Sequence, residues 1–192
     1  AVALYVWPIL GLLTFGILYP LALLKLNKYI VENSAYGTAK FQFHATYGDY
    51  GKVFLVMIGT MFLAAILAGV TTGIVGNDLP EETRGLPGLV VALPLYFVAI
   101  VYLNVKLFNI YYLRASLRSH GFDADAEIGA YTWVMITNIV LIVLTLGLFL
   151  PAAKIRMTRY LTSSLAFVAI GSLDNFAAAE RESVDALGEE LG

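Results

Sequence analysis

Residues 53–75 carry no charged side chain at all. A helix rises 1.5 Å per residue, and about 20 apolar residues cross a hydrocarbon core of roughly 30 Å. A helix on a water-facing surface would need a polar stripe, and this stretch has none. Three further apolar segments accompany it: 1–24, 86–105 and 132–150. Charged residues make up 14% of the chain, against about 25% in soluble domains. The expected class is an all-α polytopic membrane protein. It would have about four transmembrane or re-entrant helices, interfacial basic helices and short cytoplasmic strands.

Charge placement supplies a topology. The loop 76–85 holds Asp78, Glu81 and Glu82 against Arg84 alone, which marks it as non-cytoplasmic. The longer loops 25–52 and 106–130 are richer in Lys and Arg and are expected to face the cytoplasm. Six of the fourteen acids fall between Asp174 and Glu190. The rest of the chain is therefore basic, which favours an anionic lipid surface over nucleic acid.

A nine-residue pattern occurs twice. Leu12-Leu13-Thr14-Phe15-Gly16-Ile17-Leu18-Tyr19-Pro20 is matched by Val143-Leu144-Thr145-Leu146-Gly147-Leu148-Phe149-Leu150-Pro151. Each copy leads into a basic segment: Lys25 and Lys28, then Lys154, Arg156 and Arg159. The chain divides on this basis into a membrane domain, 1–173, whose repeat covers about 1–52 and 132–173, and an acidic helix or tail, 174–192. The repeat conflicts with simple counting, which puts its two basic flanks on opposite sides if 132–150 crosses once. Span length favours the single crossing. The alternative is a segment that dips and returns, with Gly16, Pro20, Gly147 and Pro151 as the backbone break.

Phe41-Gln42-Phe43-His44 alternates apolar and polar, as do residues 122–128, and 167–171 follows its basic helix at a similar place. Three such strands could form a small sheet only if all lie on one side, which favours the returning topology. Asp174 is placed to cap an amphipathic helix in the tail. The start at Ala1, inside an apolar run, reads as a truncation or the limit of an ordered region.

The absence of cysteine excludes disulfides and thiolate chemistry. His44 and His120, in separate loops and without an acidic motif, make a weak metal pair, so no metal or cofactor is expected. Lys25, Lys28, Arg114, Arg118, Arg156 and Arg159 are candidates for anionic lipid headgroups, against ordinary snorkelling. Asn104, Asn138 and Thr145 are the candidate intramembrane polar groups, for a transport path or for helix–helix hydrogen bonds. Gly59, Ala64, Ala65, Ala68 and Gly69 allow close helix approach.

Phe41, Phe43, His44, Thr46 and Tyr50, with Thr145-Leu146-Gly147, Arg156, Arg159 and Tyr160, resemble the signature of the YjgN family over nearly the whole chain. Ala45 stands where that family usually has glycine, and Pro20 and Pro151 stand near where it often has Trp. The resemblance implies a multi-pass protein of the bacterial inner membrane and the C-terminal part of a longer member. It implies no activity. No nucleophile–base pair or acid dyad is visible, so an enzyme is not expected. The expected role is a non-catalytic accessory or scaffold subunit that packs against a larger membrane complex or organises lipid; the alternative is a small-solute transporter or channel.

Overall fold

Thr46 and Asp49 start the longest helix of the chain. The Asp49 carboxylate accepts the Thr46 N–H at 2.8 Å, and the Thr46 hydroxyl accepts the Asp49 N–H at 3.3 Å. This capping box satisfies two backbone donors that a helix start would otherwise leave open. The computed structural model describes residues 17–171 together with Val6, Thr14, Ala178 and Arg181. Helix α1 is Tyr19–Glu32, and strands β1 (Ala35–Tyr36) and β2 (Ala39–Phe43) follow it. The capped helix α2 is Tyr47–Val75; two short turns lead from it to α3 (Leu86–Leu113). Then come β3 (Ala115–Leu117), β4 (His120–Ala124), α4 (Ile128–Leu144), α5 (Leu150–Ser163) and β5 (Leu165–Val168).

Helices dominate, but the expected all-α class needs correction: the described strands form one antiparallel sheet in the order β1-β2-β3-β4-β5. The three expected strands are β2, β4 and β5, and β1 and β3 complete two hairpins with them. α1, α3 and α5 each end in a C-cap residue (Asn33, Arg114 and Ser164), and β1, β3 and β5 begin one or two residues later. In both hairpins the first of the two loop residues has positive φ, +61° at Gly37 and +52° at Arg118.

One sheet face is aromatic. Phe41 stacks on Phe122 at 6.2 Å, and Phe122 meets Phe167 edge-on at 5.3 Å. Tyr111 and Tyr112, at the end of α3, close over this layer against Phe43 and Phe122. Beneath it Tyr50 is fully buried, its hydroxyl accepting a 2.7 Å hydrogen bond from the Asn27 amide.

Of the four apolar segments, two lie in helices long and apolar enough to span a membrane, α2 and α3 with their flanking turns. They pack as an antiparallel pair through small residues. Ala64 and Ala92 are buried, and a Cβ added at Gly88 would lie 2.8 Å from the Ala68 carbonyl oxygen and against the Thr72 hydroxyl. Ala64 and Ala68 thus serve close approach as expected. Gly59, Ala65 and Gly69 are exposed on other faces of the helix instead. The 132–150 segment forms no long helix: α4 stops at Leu144, and after Thr145–Phe149 the chain doubles back as α5. Gly16 and most of 1–24 lie outside the described residues, as does the acidic tail apart from Ala178 and Arg181.

Candidate functional site

The turn between α4 and α5 is built by the Thr-x-Gly motif. Gly147 N–H bonds the Ile142 carbonyl at 2.8 Å and Leu146 N–H bonds Val143 at 3.1 Å. This is the double closure of a Schellman ending, with Leu146 at φ +51° and Gly147 at φ +93°. Thr145 joins the two helices: its hydroxyl donates to the Leu141 carbonyl at 2.7 Å and accepts the Phe149 N–H at 3.0 Å. In the other copy, Thr14 accepts the Leu18 N–H at 3.2 Å, the same bond in the same place. Thr145 therefore clasps the turn. Pro20 and Pro151 sit in the first turns of α1 and α5, where a backbone N–H would have no intrahelical acceptor anyway. Pro151 starts the returning helix α5, and the break itself lies before it.

Below the turn the hairpin is held by polar side chains. Arg156 donates to the Asn138 amide oxygen at 2.8 Å and to the Thr137 hydroxyl at 3.1 Å, and its guanidinium lies 6.0 Å from the Phe149 ring centroid. Asn138, a buried residue, donates in turn to the Ala153 carbonyl at 3.1 Å. At the base the Tyr160 hydroxyl donates to the Glu127 carbonyl at 3.0 Å and accepts its N–H at 2.9 Å. Asn109 on α3 brackets Ala126 in the same two-bond way. The α4–α5 hairpin is thereby fixed at its tip, middle and base.

The other sequence candidates disperse. Lys28 faces Glu32 across one helical turn at 3.6 Å. Arg114 meets Asp49 at 2.9 Å and so ties the end of α3 to the capping box of α2. Burial pushes the Asp49 carboxyl up, but the Thr46 N–H, the Thr46 hydroxyl and the Arg114 guanidinium outweigh it and hold it below its ordinary value. Arg118 occupies a hairpin turn, and Lys25 is exposed on α1. Asn104 bonds the Ile100 carbonyl of its own helix at 2.8 Å. His44 meets the Ser116 hydroxyl at 3.0 Å, whereas buried His120 accepts the Ile170 N–H at 3.1 Å. Among the described residues no three His, Cys, Asp or Glu side chains gather into a metal-binding group.

Two open features stand out among the described residues. One is a cavity of about 280 Å³ between sheet and helices, lined by Val31, Phe41, Tyr111, Tyr112 and Phe122 among others. The other is the outward stripe of α5, a shallow groove lined by Lys154, Ile155, Thr158, Arg159 and Thr162. Of its two cations, Arg159 is among the headgroup candidates of the sequence and Lys154 only among the basic flank of the repeat. The distinguishing signal is helical position: Ala153, Arg156, Met157, Tyr160 and Leu161 face α4 and the core, and the stripe lies on the far side.

No curated protein and no solved structure matches the chain. One family model, described as "Bacterial protein of unknown function (DUF898)", matches residues 1–192. The YjgN-type residues Phe41, Phe43, His44 and Thr46 lie on β2 and at the start of α2, and Thr145, Arg156 and Tyr160 lie on the α4–α5 hairpin they hold together. The chain belongs to this bacterial family, DUF898, the domain of the YjgN proteins.

Proposed function

We propose that the chain is a multi-pass protein of the bacterial cytoplasmic membrane that acts as a non-catalytic scaffold, organising lipid or packing against a larger membrane complex. The observation that carries this reading is the outward surface of α2, α3 and the hairpin tip. Leu55, Phe62, Ile74 and Val90 are each about 70% exposed, and Leu146 is 95% exposed. Water does not tolerate so continuous an apolar surface on a folded chain, whereas acyl chains or another membrane helix would cover it. The two-span hairpin and the returning α4–α5 pair would both insert from the sheet side. The polar side chains of the α4–α5 hairpin hold helix to helix.

Carbonate washing and flotation of membranes that contain the full chain test the first part. Retention with the lipid is expected; release into the wash would end the membrane reading. Purification in mild detergent tests the second part, with a stoichiometric membrane partner or firmly held lipid as the expected result. A lipid-free monomer would count against it. Measured solute flux lost on substituting Asn104 by Leu, with folding intact, would favour a transporter instead.

A further inference from the structure

We propose that the outward stripe of α5 seats the phosphate of an acidic phospholipid. This rests on the membrane reading above and adds a ligand and a place to it. Lys154 and Arg159 are exposed on that stripe, and neither has an ion-pair or hydrogen-bond partner among the described residues. They lie five residues apart, about 7.5 Å along the helix axis, with Thr158 between them. The Thr158 hydroxyl is likewise without a partner among the described residues, while Thr162 turns its hydroxyl back to the Thr158 carbonyl at 2.9 Å. Two cations and a free donor on one stripe suit a phosphate diester, whose charge is spread over two oxygens.

The other copy of the repeat shows what is special about this stripe. Its counterparts on α1 are Leu23, Leu24, Asn27, Lys28 and Val31. Leu24 and Val31 are buried, Asn27 is bonded to Tyr50, and Lys28 is paired with Glu32. In α1 the stripe is buried at Leu24 and Val31 and its one cation is paired; in α5 it stands open and carries Lys, Ile, Thr, Arg and Thr. A covering apolar helix would strand both charges, so the occupant must bring an anion. The hairpin also presents its groups in the order of an amphiphile, with cations on α5 and then the exposed leucines 144, 146 and 148 at the tip. An acidic lipid matches both halves, whereas an acidic peptide or free phosphate matches only the first.

The test is native mass spectrometry of the full chain, released from membranes that contain phosphatidylglycerol or only phosphatidylcholine. Phosphatidylglycerol should be retained and phosphatidylcholine not. Each of Lys154→Ala and Arg159→Ala should weaken retention roughly fivefold. Lys40→Ala, which removes the same charge from the sheet, should leave it unchanged. The charge-preserving pair Lys154→Arg with Arg159→Lys keeps retention and guards against a folding artefact. Equal retention by the alanine variants would overturn the site. Displacement of the lipid by inorganic phosphate alone would assign it to a free anion, and an acidic protein held there in its place would also overturn the proposal. A chain that leaves the membrane on carbonate washing fails earlier, at the reading on which the site rests.

Discussion

The guanidinium of Arg156 donates to the amide oxygen of Asn138 at 2.8 Å, eighteen positions away, and this bond requires α5 to run back along α4. Asn138 is buried and passes a second bond to the Ala153 carbonyl, so its amide joins the two helices from both ends. Replacing it by leucine removes both links and leaves the guanidinium without its amide acceptor. Hydrogen bonds to charged groups contribute about 1.5–3 kcal/mol each. Asn138→Leu should therefore destabilise the chain by about 2–3 kcal/mol in thermal unfolding in detergent. Adding Arg156→Met should cost little more, because the pair acts as one unit. An Asn138→Leu protein that melts with the wild type would show that the hairpin is held elsewhere.

The Asp49 carboxyl is held below its ordinary value of 3.8 in the folded chain. A depressed carboxyl contributes stability that is complete above its unfolded pKa and is lost as the pH falls through the lower folded one. Wild-type melting temperature should accordingly fall below about pH 4. Asp49→Asn should be less stable at neutral pH and should lose part of this acid-side slope. Identical slopes would mean that other carboxyls govern acid unfolding.

Leu146 sits at φ +51° with its side chain almost wholly exposed. The left-handed conformation costs an L-residue about 1–2 kcal/mol, and glycine avoids that cost. In detergent Leu146→Gly should raise stability by about 1 kcal/mol, and Gly147→Ala, at φ +93°, should lower it by at least as much. Paired unfolding curves of the two variants test the turn geometry directly.

Gly88 and Gly69 separate packing from composition. A methyl at Gly88 would press on Ala68 backbone and Thr72, so Gly88→Ala should destabilise by about 1–3 kcal/mol. At Gly69 nothing lies within 4 Å of the added carbon. There the better helix propensity of alanine should leave stability unchanged or raised by up to about 1 kcal/mol. Equal effects at the two sites would disprove the seam between α2 and α3.

Much of this layout is legible in the residues alone, and the gaps have physical reasons. Alternation at Phe41–His44 locates β2 because the glycine at 37 announces its turn. The same turn before β4 is made by Arg118, which carries no such signal, and the alternation in the sequence begins two residues after the strand does. β1 and β3 span two and three residues, too short for any periodicity. The paired Thr-x-Gly pattern points to a break in the backbone, but span length misleads, since 132–150 could cross as one helix and instead closes on Arg156. Six basic residues look alike as lipid contacts. Only packing separates Arg156, Arg114 and Lys28, which are bonded within the chain, from Arg159, and adds Lys154 to it.

The hairpin has one more consequence, for the outline of the molecule. At 29 and 28 residues, α2 and α3 are each about 42 Å long, whereas α1, α4 and α5 extend only about 21–25 Å from the sheet. Among the described residues the sheet end is therefore five helices across and the far end two. In the membrane reading proposed above, the taper of these described helices would take unequal areas from the two leaflets.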